Sequence, residues 1–438
     1  MRDLLVFGVI FAICAFIPKR PVIGVLAFAW LSLMNPHRLT YGAAFDFPFA
    51  MIVAILTLVS LLVSKEPKQL PRSPVIGILL VFFCWMTLTT FFAFEQTPAW
   101  NRWNQLLKTF LMLLVSMMVI RHEKDVKALA WVIGLSLGFW GLKGGFFTLT
   151  SGGAHRVLGP AGSDIADNND LALALVMSLP IIWYLQMHAP KVWLRWAMIV
   201  LAIFTLVSAV GTYSRGALLA GSAMLFFLWL KSRQKIRTGL LLALAVPLVY
   251  LLMPEQWFER MESIGEYKQD ASAMGRINAW YFAYNLALEN LLGGGFNTFT
   301  SRMFMVYAPN PLDVHAAHSI YFRVLGEHGF IGLGIFLLLM AAAWRTGSRI
   351  IRYCKDKPDA KWAADLAAMC QVSIIGYAVG GSFLSLSYYD FYYYIIALLL
   401  LLEKCVVHAQ GAEPGRQAVR QPVMPPPIAD SRNGAGRT

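Results

Sequence analysis

Apolar residues come in continuous blocks along this chain, at roughly 3–17, 21–34, 46–64, 74–94, 105–120, 126–150, 170–188, 193–210, 216–231, 239–253, 329–346, 362–385 and 388–402. Continuity rather than alternation excludes strands as the main element. Most blocks are long enough to cross a hydrocarbon core of about 30 Å as helices. The pattern predicts an all-α, polytopic membrane protein with about 12 transmembrane helices. The first two blocks are short and form either one hairpin or a half-buried pair. A single polar interruption is long, from about Pro254 to Gly329. Its helical periodicity and aromatics predict a folded segment, and loops of that length in compact folds are functional or disordered. The chain therefore divides into N-terminal membrane helices over 1–253, an outer loop domain over 254–328 and C-terminal membrane helices over 329–404. The remainder, 405–438, is a tail rich in Pro, Gly, Arg and Ala from Gln410 onward and is expected to be disordered on the inner side.

Composition sharpens this picture. The 438 residues are 58% hydrophobic and 14% charged, far to the apolar side of soluble chains. The net charge of +13 lies mostly in short loops, such as Lys65 with Lys68 and Arg72, Arg121 with Lys124 and Lys127, or Lys191 with Arg195. Lys231, Arg233, Lys235 and Arg237 form another cluster, and the group around Lys357 a further one. Clusters recur at alternate connections, which is the positive-inside pattern and not a nucleic-acid surface. The connections near 95–104, 151–169, 211–216, 254–328 and 386–388 then lie outside. The N-terminus falls inside or outside according to whether the span count is even or odd. No small-residue cleavage site follows the first block, so it reads as mature protein. The five cysteines lie in or beside apolar blocks with no CxxC, which excludes disulfide and thiolate-metal readings. A reporter fused near Gly265 should read as external, and reporters near Arg233 or Lys357 as internal; an internal signal near Gly265 would sink the assignment of an outer site.

The outer connections carry the unusual polar residues. Asn169 or Asp170 suits a helix cap. Arg156, in an outer loop, runs against the Lys/Arg bias. Lys143 sits inside an apolar block near its outer end and either snorkels or meets a phosphate. Arg215, in the short connection Gly211–Gly216, is either an interfacial cation or an anion-binding group beside a helix N-terminus. Asp313, His315 and His318 invite a metal, but no cysteine and no HExxH accompany them, so no metal is expected. His328 reads as interfacial, the tyrosines from Tyr388 to Tyr394 as an aromatic girdle, and Gly376 with Gly380 as a close-packing pair. Guanidinium groups suit a diphosphate leaving group and a histidine suits a general base, with Arg215 and Arg276 the leading cations. One displacement with one base would invert the anomeric centre, whereas retention would need a carboxylate such as Asp313 or Glu327. A transporter would place such groups near the bilayer midplane; here they gather on one side, which favours an enzyme.

Taken in order, Ser214-Arg215-Gly216-Ala217, Gly275-Arg276 with Trp280, Gly293-Gly294-Gly295-Phe296, His315-Ala316-Ala317-His318-Ser319 and Glu327-His328-Gly329 resemble the core of the O-antigen ligase and polymerase superfamily. Ser319 stands after His318 where that family has asparagine. The N-terminal half is also similar to the O-glycosylation ligases found beside exosortase systems. The resemblance implies a GT-C-like glycosyltransferase at the periplasmic face of the bacterial inner membrane, without cofactor, nucleotide sugar or metal. It implies an undecaprenyl-diphosphate-linked glycan as donor and lipid A-core as acceptor, or a protein or a second glycan in related enzymes. It maps the essential histidine onto His318 and the essential arginine onto Arg215. Arg276, Arg156, Lys143, His315 and Tyr321 are then expected to bind substrate. Acceptor, glycan and oligomeric state stay open.

Overall fold

A computed structural model describes residues 1–65, 67–231, 253–262 and 271–408, with 235–236, 239–240, 243, 247 and 250 between them. Most of the 239–253 block, Arg233, Arg237, Gly265 and the tail from 409 lie outside the described residues. The described chain is all-helical. Helices α1 (Arg2–Cys14), α2 (Pro21–Met34), α3 (Phe49–Val63), α4 (Pro74–Phe91) and α5 (Gln96–Val119) open it. They are followed by α6 (Glu123–Thr150), α7 (Asn168–Met187), α8 (Val192–Gly211) and α9 (Arg215–Lys231). Two amphipathic or mixed helices, α10 (Glu255–Glu262) and α11 (Ala271–Glu289), and the short α12 (Ser301–Tyr307) fill the polar stretch. Then come α13 (Ile320–Tyr353), α14 (Lys361–Gly380) and α15 (Asp390–Glu403).

Among the described residues, six helices are long and apolar enough to cross a membrane: α4, α6, α7, α8, α13 and the segment Pro358–Phe383 that contains α14. The expected count of about 12 is not reached, for two physical reasons. α2, α3 and α9 are apolar but have fewer than 18 residues, and at 1.5 Å per residue fall short of about 30 Å. α5 is long enough, but Arg102 and Lys108 dilute its apolar run.

α6 and α8 pack backbone to backbone because Gly141, Gly144 and Gly145 leave no room for side chains against Thr205, Ser208 and Phe204. The expected close packing at Gly380 holds, since a Cβ there would meet Leu173 and Ala220 within 3 Å. α15 runs through the middle of the bundle, and every residue from Phe391 to Glu403 is buried. The expected tyrosine girdle is therefore corrected. Tyr388, Tyr389, Tyr392, Tyr393 and Tyr394 are interior residues, with Tyr392 stacked on Tyr377 at 4.2 Å. Tyrosine composition alone does not separate a lipid-facing belt from a packed core.

The expected boundary at residue 329 falls on a break inside a helix. α13 starts at Ile320, nine residues earlier, and breaks at Gly329 (φ 67°, ψ −173°). The break leaves the carbonyls of Gly326 and Glu327 without helical partners, and the N–H groups of Gly294 and Gly295 donate to them, each at 2.9 Å. Glycine is required there. A Cβ on Gly293 would lie 2.7 Å from the Gly329 nitrogen, and one on Gly295 would collide with Ala93. His328, expected at an interface, is fully buried instead; its Nδ1 is 2.7 Å from the Thr89 hydroxyl, and its own carbonyl accepts from Trp85. The cap of α7 is Asp167, not Asn169 or Asp170, and its carboxylate accepts from the Asn169 N–H at 2.8 Å.

Candidate active site

α8 stops at Gly211, and three residues later α9 begins at Arg215. Ser214 caps the new helix, its hydroxyl accepting from the Ala217 N–H at 3.2 Å. Tyr213 adopts a left-handed conformation (φ 61°) and donates its hydroxyl proton to the Gly153 carbonyl at 2.5 Å. The turn is gripped from three other sides. Asn168 donates to the Thr212 carbonyl at 2.8 Å, Trp257 to Val210 at 3.1 Å, and Arg260 to Tyr213 at 3.0 Å. These bonds fix the root of Arg215 and draw α7, α10 and the 151–167 loop to one end of the bundle.

The result is a cavity of about 460 Å³ lined by Arg156, Arg215 and Arg260, with Glu259, Gln256 and Ser272. Two sequence-predicted cations, Arg156 and Arg215, meet here. Arg260 was not anticipated; the signal was the amphipathic Glu255–Glu262 helix, which anchors Trp257 inward and so turns Arg260 toward the turn. The arginine fields reach their neighbours: burial raises the pKa of the Tyr213 phenol, and Arg156 opposes that rise.

α11 carries the site onward. Ser272 lines the arginine cavity, and Arg276 follows one turn later on the same face. Gly275 lies between, against the His315 ring, so closely that a Cβ would overlap it. The loop opposite is pinned by α11 side chains. Asn278 donates to the carbonyls of Asn310 and Asp313 at 2.8 and 2.9 Å and accepts from the Asn310 N–H. Trp280 donates to the Ala317 carbonyl at 2.7 Å and stacks on Phe322. That bond holds the peptide just before His318, which takes a left-handed φ of 42°. A non-glycine residue held there is the kind of backbone strain that concentrates at functional sites.

His318 is partly buried beside Arg276. Burial first, then the Arg276 guanidinium, lowers its pKa below the ordinary 6.5; Asp167 pulls the other way. The ring is therefore neutral at pH 7 and able to accept a proton. His315 instead pairs through Nε2 with Asp313 at 2.8 Å. Among the described residues no three His, Cys, Asp or Glu side chains converge on a common point for a metal.

Other expected site residues stand apart. Lys143 is exposed on α6, its ammonium 4.7 Å over the Trp140 ring. Tyr321 spends its hydroxyl on the Ala378 carbonyl at 2.8 Å. Glu327, considered as a nucleophile, is 1% exposed and fully occupied. One oxygen accepts from Arg323 at 3.3 Å and the Asn297 N–H at 3.1 Å, and the other accepts from Tyr388 at 2.7 Å. Arg323, whose i,i+4 spacing to Glu327 was legible but unremarked, also donates to the Ser385 carbonyl at 2.9 Å.

Two family models match successive parts of the chain. Residues 200–337 match the family described as O-Antigen ligase. Residues 1–190 match a family of unknown function. No curated protein matches the chain.

Proposed function

Through its 200–337 domain the chain belongs to the O-antigen ligase superfamily, and from that premise we propose that it transfers a glycan from undecaprenyl diphosphate to lipid A-core. We place the reaction at the periplasmic face of the inner membrane, in a GT-C-like fold of about 12 spans. The observation that carries the proposal is the convergence of Arg156, Arg215 and Arg260 on one cavity, joined along the first turn of α11 to Arg276 and His318.

The chemistry follows from these groups. The acceptor hydroxyl oxygen attacks the anomeric carbon while the bond from that carbon to the diphosphate oxygen breaks. The electron pair leaves on the diphosphate, where guanidinium groups offset the developing charge with paired hydrogen bonds. The acceptor proton passes to His318, which is neutral and ready for it. A single displacement inverts the anomeric centre. Glu327 is spent on Arg323, Tyr388 and Asn297, so a carboxylate nucleophile from that position is disfavoured.

The test is transfer by the purified protein from a lipid-linked glycan to three acceptors offered separately: lipid A-core, a Ser/Thr peptide and a second repeat unit. Product is expected on lipid A-core, with inverted linkage and in the presence of EDTA. Product confined to peptide or to glycan would replace the ligase reading by its oligosaccharyltransferase or polymerase relatives. Loss under EDTA with recovery on one divalent ion would return Asp313, His315 and His318 to the role of ligands.

A further inference from the structure

A second cavity, of about 570 Å³, shares no lining residue with the arginine site. It lies between α2, α3 and α5 and is closed over by residues 162–165. Its polarity is graded. The α3 wall, from Ala50 through Met51 and Ile55 to Leu58, is apolar, and so are Phe28, Leu31 and Leu111. The other end is polar, with Ser32, Asn35, Gln105, Thr109, Ser163 and Tyr389. Ser32 and Asn35 close α2, Arg102 sits in the second turn of α5, and Asp390 opens α15. This is the end of the bundle that also carries the Arg215 turn. The groove thus runs from the bundle end into the apolar layer, along the polarity gradient a membrane lipid follows. The α3 wall runs over nine residues, or about 12 Å of helix rise.

Three buried polar atoms on these walls have no partner among the described residues: the Tyr389 hydroxyl, Arg102 Nε and His37 Nδ1. Tyr389 is 3% exposed. Buried polar groups in folded proteins are almost always hydrogen-bonded, so three orphans from three elements around one groove mark a place where something polar is received. The charge does not select an anion. Arg102 is paired with Asp164 at 3.3 Å and also donates to Gln105. Lys108 lines the same groove as Asp390, giving two fixed cations and two fixed carboxylates. Burial, then Arg38, pushes His37 down to about 4, so it adds no charge at neutral pH. Asp390 already accepts from the Ser32 hydroxyl. What remains is a charge-balanced, hydroxyl- and amide-rich mouth above an apolar slot.

We propose that this groove, lined by the segment matched to a family of unknown function together with Tyr389 and Asp390, binds a membrane amphiphile with an alkyl chain in the slot and an uncharged, hydroxyl-rich head at the mouth. A phospholipid with a net anionic head would face Asp164 and Asp390, with Arg102 already engaged by Asp164 and only the exposed Lys108 to offset them. A hydroxyl-bearing head can donate to and accept from the orphaned Tyr389, Arg102 and His37 atoms. The site goes beyond the transfer reaction, and its test reads binding alone.

The probes are an alkyl glucoside and a phosphatidylglycerol, each with a diazirine on the chain, photolysed against the full-length protein in phosphatidylcholine nanodiscs. Glucoside adducts are expected on peptides from 49–63 and 96–119 at about tenfold the yield on the exposed face of 192–211, which corresponds to about 1.4 kcal/mol of preference. Excess dodecyl maltoside should chase them. Ala54→Trp fills the slot and should remove the adducts with the melting temperature unchanged; if that variant does not fold, Met51→Trp, on the same wall but half exposed, makes the same block. Tyr389→Phe should narrow the preference for glucoside over phosphatidylglycerol. Equal adducts on all three helices would mean annular lipid only, and equal labelling by the two probes would mean the mouth does not select the head; either overturns the proposal. Adducts that survive both tryptophan variants overturn it as well.

Discussion

Arg215→Ala should lower transfer by about 10³-fold or more, the scale on which a single arginine stabilises a phosphoryl leaving group elsewhere. Arg215→Lys should recover only part of that loss. Lysine keeps the charge but not the planar fork, and removing one well-placed donor from a developing anion costs about 10²–10³-fold. Protein folding should survive both changes, because the turn is held by Asn168, Trp257 and Arg260 from neighbouring elements. The checks are single-turnover transfer rates with the melting temperature of each variant beside them. Wild-type transfer by folded Arg215→Ala would remove the residue from the site and leave Arg156 and Arg260 to carry the diphosphate.

His318→Ala should lose about 10²–10⁴-fold in rate, the usual worth of a general base, while still binding the lipid-linked donor. His315→Ala should be milder, since His315 is already engaged by Asp313. The pH profile adds a sharper reading. His318 must be neutral to accept the proton, so activity is lost as pH falls through its pKa. Burial and Arg276 set that pKa below 6.5, which places the acidic limb below 6.5. Removing the neighbouring cation lets the pKa rise, so in Arg276→Ala the limb should move to higher pH, in addition to any loss of rate. Burial, the larger cause, remains, and the limb should stay below 6.5. A limb that does not move, or a His315→Ala variant that is the inactive one, would reassign the base.

Apolar continuity was enough to read the helical class and the main spans, because a helix facing lipid or a buried bundle must be apolar over its whole length. The order of the Arg215, Gly275–Arg276, glycine and histidine motifs was enough to find the polar end. What escaped was set by tertiary contact. Arg260 looks like one charge among several in an amphipathic stretch until Trp257 is seen anchoring it. Gly329 looks like the start of an apolar block; only its pairing with Gly293–Gly295 reveals a break within a helix that began at Ile320. Glu327 reads as an available carboxylate until Arg323 and Tyr388 are placed on it. Lys143 left two readings open, and the ring of Trp140, three residues earlier on the same helix face, favours the first.

The burial of α15 bears on how such a chain is assembled. The helix is fourteen residues long, about 21 Å at 1.5 Å per residue, and almost none of its surface meets lipid. It is synthesised after the other described helices, yet it packs against α5, α6, α13 and α14 at the centre. Without α15 those helices would enclose an unfilled core, so the closed bundle depends on the last described helix. Tyr388, on the approach to that helix, then reaches Glu327, and the Ser387 hydroxyl reaches the Ile320 carbonyl at the start of α13. The segment that begins just after His318 is thus tied to residues 387–388, on the approach to the last helix.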